Sequence, residues 1–323
     1  MLLADVASAL EAFWRGSLGT SSALFSGTLV RAVPLILVGV GVALAFRAGV
    51  FNIGGEGQLL LGAVASTVVG LHWGGGVAGV IIALCASAVA GAAWAAIAAV
   101  LRARFGVLEV ISTIMLNFVA VNLVSYLVRG PLQEPTRIYP QTSLIAESAR
   151  LSRLWTGTRL HAGIFIGIVV AVCAWLVLTR MAAGFRLRAV GASPSAARAS
   201  GRVDVERVTA AALVASGALA GLAGGVEVTG VTYALYENLS PGYGFSAIAV
   251  AILARLHPLG VLATALLFAT LETGALGMQR DAGVPSVVAS VLEALAILAV
   301  VAASGRFGIS WRATRGPRTS GAA

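Results

Sequence analysis

The chain alternates long apolar runs with short polar or glycine-rich interruptions. Residues 57–101 carry no charged side chain over 45 positions, enough for two membrane-crossing helices of about 20 residues each. Such runs are too long and unbroken for the alternating strands of a membrane barrel. The pattern therefore predicts an all-α fold, that of a polytopic helical membrane protein.

Run length and charge spacing divide the chain further. We expect residues 1–29 to form an interfacial or external N-terminal segment, residues 30–303 a transmembrane domain, and residues 304–323 a basic cytoplasmic tail. The nine predicted spans are 30–46, 54–72, 76–101, 107–128, 161–179, 208–229, 243–255, 258–276 and 286–303.

The arginines set the expected orientation, because cytoplasmic loops of membrane proteins carry an excess of basic residues. Placing loop 180–207 inside puts 14 of the 22 arginines inside and 8 outside. Loop 130–160 is then external. It carries several arginines, and it is either a solvated loop or a cationic surface for the acidic face of a soluble partner.

Composition narrows the possible chemistry. The chain is 59% hydrophobic and 11% charged, which is not typical of soluble proteins. It contains no lysine, so it lacks the phosphate-binding P-loop and cannot hydrolyse ATP by that route. We attribute the net charge of +9 to helix ends rather than to a nucleic-acid partner. The two cysteines and three histidines are unclustered, so we expect no metal site.

A polar, glycine-rich segment separates the first two spans. Residues 51–58 read FNIGGEGQ and lie between two apolar runs without charge. Polar side chains near membrane depth cost free energy unless they are satisfied. Either these side chains are buried and find hydrogen-bond partners on neighbouring helices, or they line a path for a polar solute. Interrupted helices of this kind hold transporter sites, so Glu56 is a functional candidate.

Loop 180–207 predicts a short helix on the inner side. Ser193 is a suitable N-cap, Pro194 suits the first helical turn, and Gly201 offers a C-terminal stop. A short cationic helix between two spans is either a structured linker or the contact surface on which a cytoplasmic motor protein acts.

One predicted span carries a packing pattern. Gly217, Gly221 and Gly225 recur every four residues. This spacing lets membrane helices approach closely. We expect these glycines to face another helix.

Four stretches resemble the permease subunits of ATP-binding-cassette importers for simple sugars and nucleosides, in the branched-chain amino acid and ribose permease group. Residues 45–58 (AFRAGVFNIGGEGQ) resemble the nucleoside-type motif. The other three, in the same order as in the family, are 109–117 (EVISTIMLN), 188–194 (RAVGASP) and 257–260 (HPLG). Family members usually have ten spans, with an extra one ahead of residues 6–18.

The resemblance implies import by alternating access. The implied partners are a second homologous permease, a cytoplasmic ATPase that binds ATP and magnesium, and an extracytoplasmic substrate-binding protein, all at a bacterial plasma membrane. This chain itself is expected to bind no cofactor and to be no enzyme. The residues expected along the solute path are Phe51, Asn52, Glu56, Gln58, Asn117 and Phe245. Those expected to couple to the ATPase are Arg188, Gly191, Ser193, Pro194, Arg198 and Gly201.

Other functions remain open at this stage. The solute could be a pentose or a branched-chain amino acid instead of a nucleoside. A proton-driven secondary transporter is another class, with Glu56, Glu227, Glu272 and Glu293 as carriers. A structural membrane subunit without a pathway is a third, and it predicts that Glu56→Ala leaves transport unchanged.

Overall fold

A computed structural model describes residues 2–73 and 75–285, together with Val287, Val291, Ala294, Leu295 and Leu298. It confirms the all-α prediction, since no strand is formed among these residues. The helices are α1 Leu2–Ser17, α2 Leu29–Arg47, α3 Gly55–His72, α4 Gly76–Phe105, α5 Glu109–Arg129, α6 Gly163–Arg180, α7 Ala182–Ala192, α8 Pro194–Ala199, α9 Val205–Glu227, α10 Tyr243–Leu253 and α11 Pro258–Ala282.

Six helical segments within the described part of the chain are long and apolar enough to cross a membrane. Two of them include a π-helical extension, Ala23–Thr28 ahead of α2 and Val228–Thr232 after α9. The six segments are Ala23–Arg47, Gly76–Phe105, Glu109–Arg129, Gly163–Arg180, Val205–Thr232 and Pro258–Ala282.

Two predicted spans differ from these six. The helix α3 has 18 residues but carries Glu56 in its first turn. The predicted span 243–255 corresponds to the short apolar helix α10, which has only 11 residues. At 1.5 Å per residue it covers about 16 Å, roughly half of the hydrocarbon core. Left-handed backbone at Gly242 before it and at Arg255 after it limits its length. The predicted span 286–303 and the tail 304–323 lie largely or wholly outside the described residues.

Helices α9 and α4 pack closely against each other. A Cβ atom added to Gly221 would lie 2.3 Å from the carbonyl oxygen of Ser87, and one added to Gly217 would lie 2.4 Å from Cβ of Ala95. A Cβ atom on Gly225 would meet Ser87 Oγ at 2.3 Å. The three glycines therefore lie where the two backbones approach most closely, as their spacing predicts.

The bundle has two distinct ends. We call the end that carries α7 and α8 the inner end and the opposite end the outer end, in keeping with the predicted orientation. At the outer end, loop 130–160 is bound to the segment that follows α9, because Ile145 N donates to the Tyr233 carbonyl at 2.8 Å. The guanidinium of Arg150 also lies 4.5 Å from the centre of the Tyr233 ring. The loop is thus an ordered cover on the outer end.

Candidate solute cavity

The polar segment between α2 and α3 is a non-helical connection held by buried side chains. Asn52 donates to Gln58 Oε1 at 2.8 Å and to Ser216 Oγ at 2.9 Å, and it accepts from Gly54 N at 3.0 Å. Asn117 reaches the segment from α5, donating to the Ile53 carbonyl and accepting from Gly57 N, each at 2.9 Å. These bonds satisfy the polar groups that the sequence places among apolar runs. We call residues 48–54 the broken segment.

Glu56 connects the start of α3 to the start of α10. Its Oε2 atom accepts a hydrogen bond of 2.8 Å from Gly244 N, and Ser240 is a further hydrogen-bond partner of its carboxylate. Ser240 Oγ in turn accepts from the backbone N–H groups of Gly242 and Tyr243 at 3.2 and 3.1 Å. The first N–H groups of a helix have no partner inside it, and here Glu56 and Ser240 supply partners. A carboxylate is also favoured electrostatically at two helix N-termini.

A cavity of about 430 Å³ lies beside this junction. We call it the α3–α10 cavity. Its size falls in the range of small-molecule sites. Two carboxylates, two amides and two hydroxyls face it together with one aromatic ring and several apolar side chains. The lining residues are Glu56, Leu60, Val121, Asn122, Val124, Ser125, Glu237, Asn238, Ser240, Gly242 and Phe245.

An ion pair lies at the outer side of the cavity. The guanidinium of Arg129 binds the Glu237 carboxylate through two bonds, of 2.6 and 2.7 Å, and Ser125 donates a further hydrogen bond to the same carboxylate. The hydrogen bonds from Arg129 and Ser125 lower the pKa of Glu237 to about 2. Glu237 therefore stays ionised at physiological pH and presents acceptor oxygens to the cavity.

The structure brings only part of the predicted pathway to this cavity. Glu56 and Phe245 line it, and half of the Phe245 surface is exposed. Asn52, Gln58 and Asn117 are buried outside the lining. Phe51 lies at the inner end, where its ring packs edge-on against Phe46 at 5.0 Å and its backbone N–H faces Glu109. Contact of these four residues with the solute stays a prediction.

Several polar residues of the lining were not among those predicted from the sequence. Asn122 and Ser125 follow Asn117 on the same helix, α5, and are three residues apart, so they share a face. The three-residue spacing of these two polar side chains could have indicated that they face the same cavity. Glu237, Asn238 and Ser240 lie in a connection whose polar composition does not distinguish it from an ordinary surface loop.

The predicted coupling helix is α8. Ser193 caps it by accepting from Ala196 N at 3.3 Å, Pro194 occupies the first turn, and Gly201 follows the helix with φ of +65°. Ala197 is the buried contact of α8 with the rest of the inner end. Arg198 faces a smaller cavity of about 180 Å³ that it shares with Arg102. Arg188 is exposed on α7.

Comparison with known protein families identifies the family of this chain. Residues 24–301 match the family described as the permease component of the branched-chain amino acid transport system. The chain belongs to this permease family. No solved structure matches it significantly. Among the residues that the structure describes, no three His, Cys, Asp or Glu side chains come together as a metal site.

Named relatives of this permease are components of ABC transporters. It is 39% identical to the guanosine ABC transporter permease protein of Bacillus subtilis, over 92% of this chain and 86% of the relative. It is 38% identical to the glucose ABC transporter permease protein of Haloferax volcanii, over 87% and 77%. It is 34% identical to the nucleoside ABC transporter permease protein of Lactococcus lactis subsp. cremoris, over 84% and 77%.

Family membership settles the class of function. The chain is a multi-pass membrane permease of an ABC transport system, of a type found in bacterial membranes. It is a transport component rather than an enzyme, and ATP hydrolysis resides in separate chains. An ATPase and a substrate-binding protein are implied as partners.

Proposed function

We propose that this permease imports a nucleoside and that the α3–α10 cavity is a station on the path of the solute. The observation that carries the proposal is the junction of Glu56 with the N-terminus of α10, because it places a carboxylate and an exposed aromatic ring, Phe245, in one polar cavity. Two of the named relatives act on guanosine or nucleosides.

The chemistry of the lining suits a nucleoside. Ribose hydroxyls and base N–H groups are donors, and the carboxylates of Glu56 and Glu237 are acceptors. The amides of Asn122 and Asn238 can both donate and accept. The ring of Phe245 offers a stacking surface for a planar base. We expect these contacts to be weak, because a path that binds its solute tightly releases it slowly.

Glucose is the second candidate solute, because the Haloferax volcanii relative at 38% identity is a glucose permease. Hydroxyl-rich solutes share the hydrogen-bond requirements of ribose but lack a planar base for Phe245. The test is competition for uptake by cells that express this chain with its ATPase and binding protein. Guanosine and adenosine should compete with labelled guanosine, and glucose should not. Uptake of labelled glucose that guanosine does not inhibit would reverse the assignment.

A second permease is proposed to cover the open side of the cavity. Ile111, Met115, Phe118 and Tyr126 form an exposed stripe on α5, and Asn122, which lines the cavity, lies on the same stripe. Apolar side chains there are compatible with lipid, but polar groups open to lipid are costly. A homologous chain against this face would close the path between two permeases. Lipid is expected to cover the remaining apolar surface.

Energy input is proposed at α8, where the cytoplasmic ATPase would press on the inner end. ATP and magnesium are expected to bind that partner and not this chain. The substrate-binding protein is expected at the outer end, against ordered loop 130–160.

A further inference from the structure

The short helix α10 is bound at both of its ends by residues that flank the broken segment. At its N-terminus, Gly244 N donates to Glu56 at 2.8 Å. Just beyond its C-terminus, the Leu256 carbonyl accepts a hydrogen bond of 2.7 Å from Nε of Arg47. Arg47 is the last residue of α2 and Glu56 the second of α3. One short stretch of chain thus contacts α10 or its C-terminal extension twice, across separations of 188 and 209 residues.

The charge of each contacting side chain is electrostatically favourable at the end of α10 that it contacts. A helix N-terminus favours an anion and a C-terminus favours a cation. Arg255 and Leu256 both have positive φ, of 52° and 57°, so the backbone after α10 turns sharply and directs a carbonyl to Arg47. At the N-terminus the backbones also touch, since a Cβ atom on Gly244 would lie 2.2 Å from Glu56 N.

The same arginine contacts the inner helices. A Cβ atom added to Gly191 of α7 would lie 2.0 Å from the Arg47 carbonyl oxygen, so α7 rests on the end of α2. The guanidinium of Arg188, one turn earlier, has the same charge as that of Arg47 and repels it. The next link is apolar, because buried Ala197 of α8 packs with Val190 of α7. Contacts therefore run from α8 through α7 to Arg47 and on to α10.

We propose that Arg47 is a positioning residue that makes α10 move together with the broken segment when α8 is displaced. Because α10 carries Phe245 and follows Gly242, this movement reshapes the α3–α10 cavity. The inference rests on the proposed function, since it requires an ATPase that acts on α8.

The first test measures how ATP changes access to position 245. The complete complex is reconstituted with Phe245→Cys in a chain whose exposed Cys85 and Cys173 are replaced by alanine. The alkylation rate of the new thiol is compared with and without ATP and vanadate. Arg47→Gln should reduce the ATP-dependent change by about threefold or more, the size expected of a residue that carries coupling. Arg255→Gln is the matched control, because it removes an exposed charge next to Leu256. Among the described residues, the Arg255 side chain makes no hydrogen bond to the Leu256 carbonyl.

The outcomes separate the two proposals. If the Phe245→Cys complex that retains Arg47 shows no ATP-dependent change in alkylation rate, the proposed function is contradicted and the inference with it. Two other results would overturn the inference alone. In the first, Arg47→Gln leaves the ATP-dependent change in alkylation rate undiminished. In the second, Arg255→Gln reduces that change as much as Arg47→Gln does.

A second test does not depend on how well Arg47→Gln folds. Arg47→Cys and Leu256→Cys are combined and joined by a short bifunctional thiol reagent. If the broken segment and the end of α10 move as one body, the joined complex should retain ATP-driven guanosine uptake and the unjoined complex should lose most of it. A joined complex that is locked, with no response to ATP, would show that the two positions separate during the cycle and would refute the proposal.

Discussion

The carboxylate of Glu56 binds the backbone N–H of Gly244, 188 residues further along the chain, at 2.8 Å. This single bond joins the N-terminus of α3 to that of α10. It therefore places a half-length helix and an interrupted span at one polar junction, the arrangement typical of binding sites in transporters.

Phe245 should determine the preference for a base. Base–aromatic stacking contributes about 1–3 kcal/mol in proteins that bind single strands. We expect Phe245→Ala to lower guanosine uptake by roughly fivefold or more and Phe245→Tyr to retain most of it, as measured by initial rates at low solute concentration. Phe165→Ala is the comparison, because that ring is exposed on α6 and lies outside the cavity lining. Equal losses in both alanine variants would argue against stacking at Phe245.

The contact of α9 with α4 should not tolerate a methyl group. In Gly221→Ala the new Cβ would lie 2.3 Å from a backbone oxygen, and overpacking of this kind costs about 1–3 kcal/mol. We expect a lower melting temperature for the purified complex. The control is Gly75→Ala, since no atom lies within 4 Å of a Cβ atom at that position. A melting temperature that is unchanged in Gly221→Ala would contradict the close approach.

Charge on the exposed start of α8 should uncouple transport. An acidic residue in the first turn does not disfavour the helix, so Pro194→Glu is expected to insert and fold normally. We expect uptake to fall by about tenfold while ATP hydrolysis by the complex continues. Pro194→Ala should behave nearly as wild type. Wild-type uptake by Pro194→Glu would remove α8 from the coupling role.

The Arg129–Glu237 ion pair predicts a specific pH dependence. The folded state lowers the pKa of Glu237 from 4.5 to about 2, so ionisation favours folding above the unfolded value. The stabilisation should be complete above about pH 4.5 and be lost as pH falls towards 2. Because the pair is exposed, salt should weaken it.

The measurement is the difference in melting temperature between wild type and Glu237→Gln. It should be constant from pH 8 to about pH 5 and should shrink at lower pH. Glu147→Gln serves as control, since it removes another exposed carboxylate of the outer end. A difference that grows on acidification would contradict the depressed pKa.

Hydropathy could predict the long spans because each is a run of apolar residues bounded by charge or glycine. Hydropathy also predicted the short segment 243–255, but it could not predict that left-handed backbone at Gly242 and Arg255 limits α10 to 11 residues. Glu56 was identifiable because it is a carboxylate between apolar runs. The pairing of Arg129 with Glu237 was not, because 108 residues separate them and only the tertiary fold brings the connection before α10 to the end of α5.

ATP-driven guanosine uptake by proteoliposomes tests the central claim most directly. The complete complex is reconstituted with wild-type chain or with Glu56→Ala, which leaves the Gly244 N–H without its acceptor and costs about 1–3 kcal/mol. We predict that uptake requires ATP, is unaffected by a proton ionophore, and falls by about tenfold or more in Glu56→Ala. Uptake that proceeds without ATP but collapses with the proton gradient, or that Glu56→Ala leaves unchanged, would contradict the account.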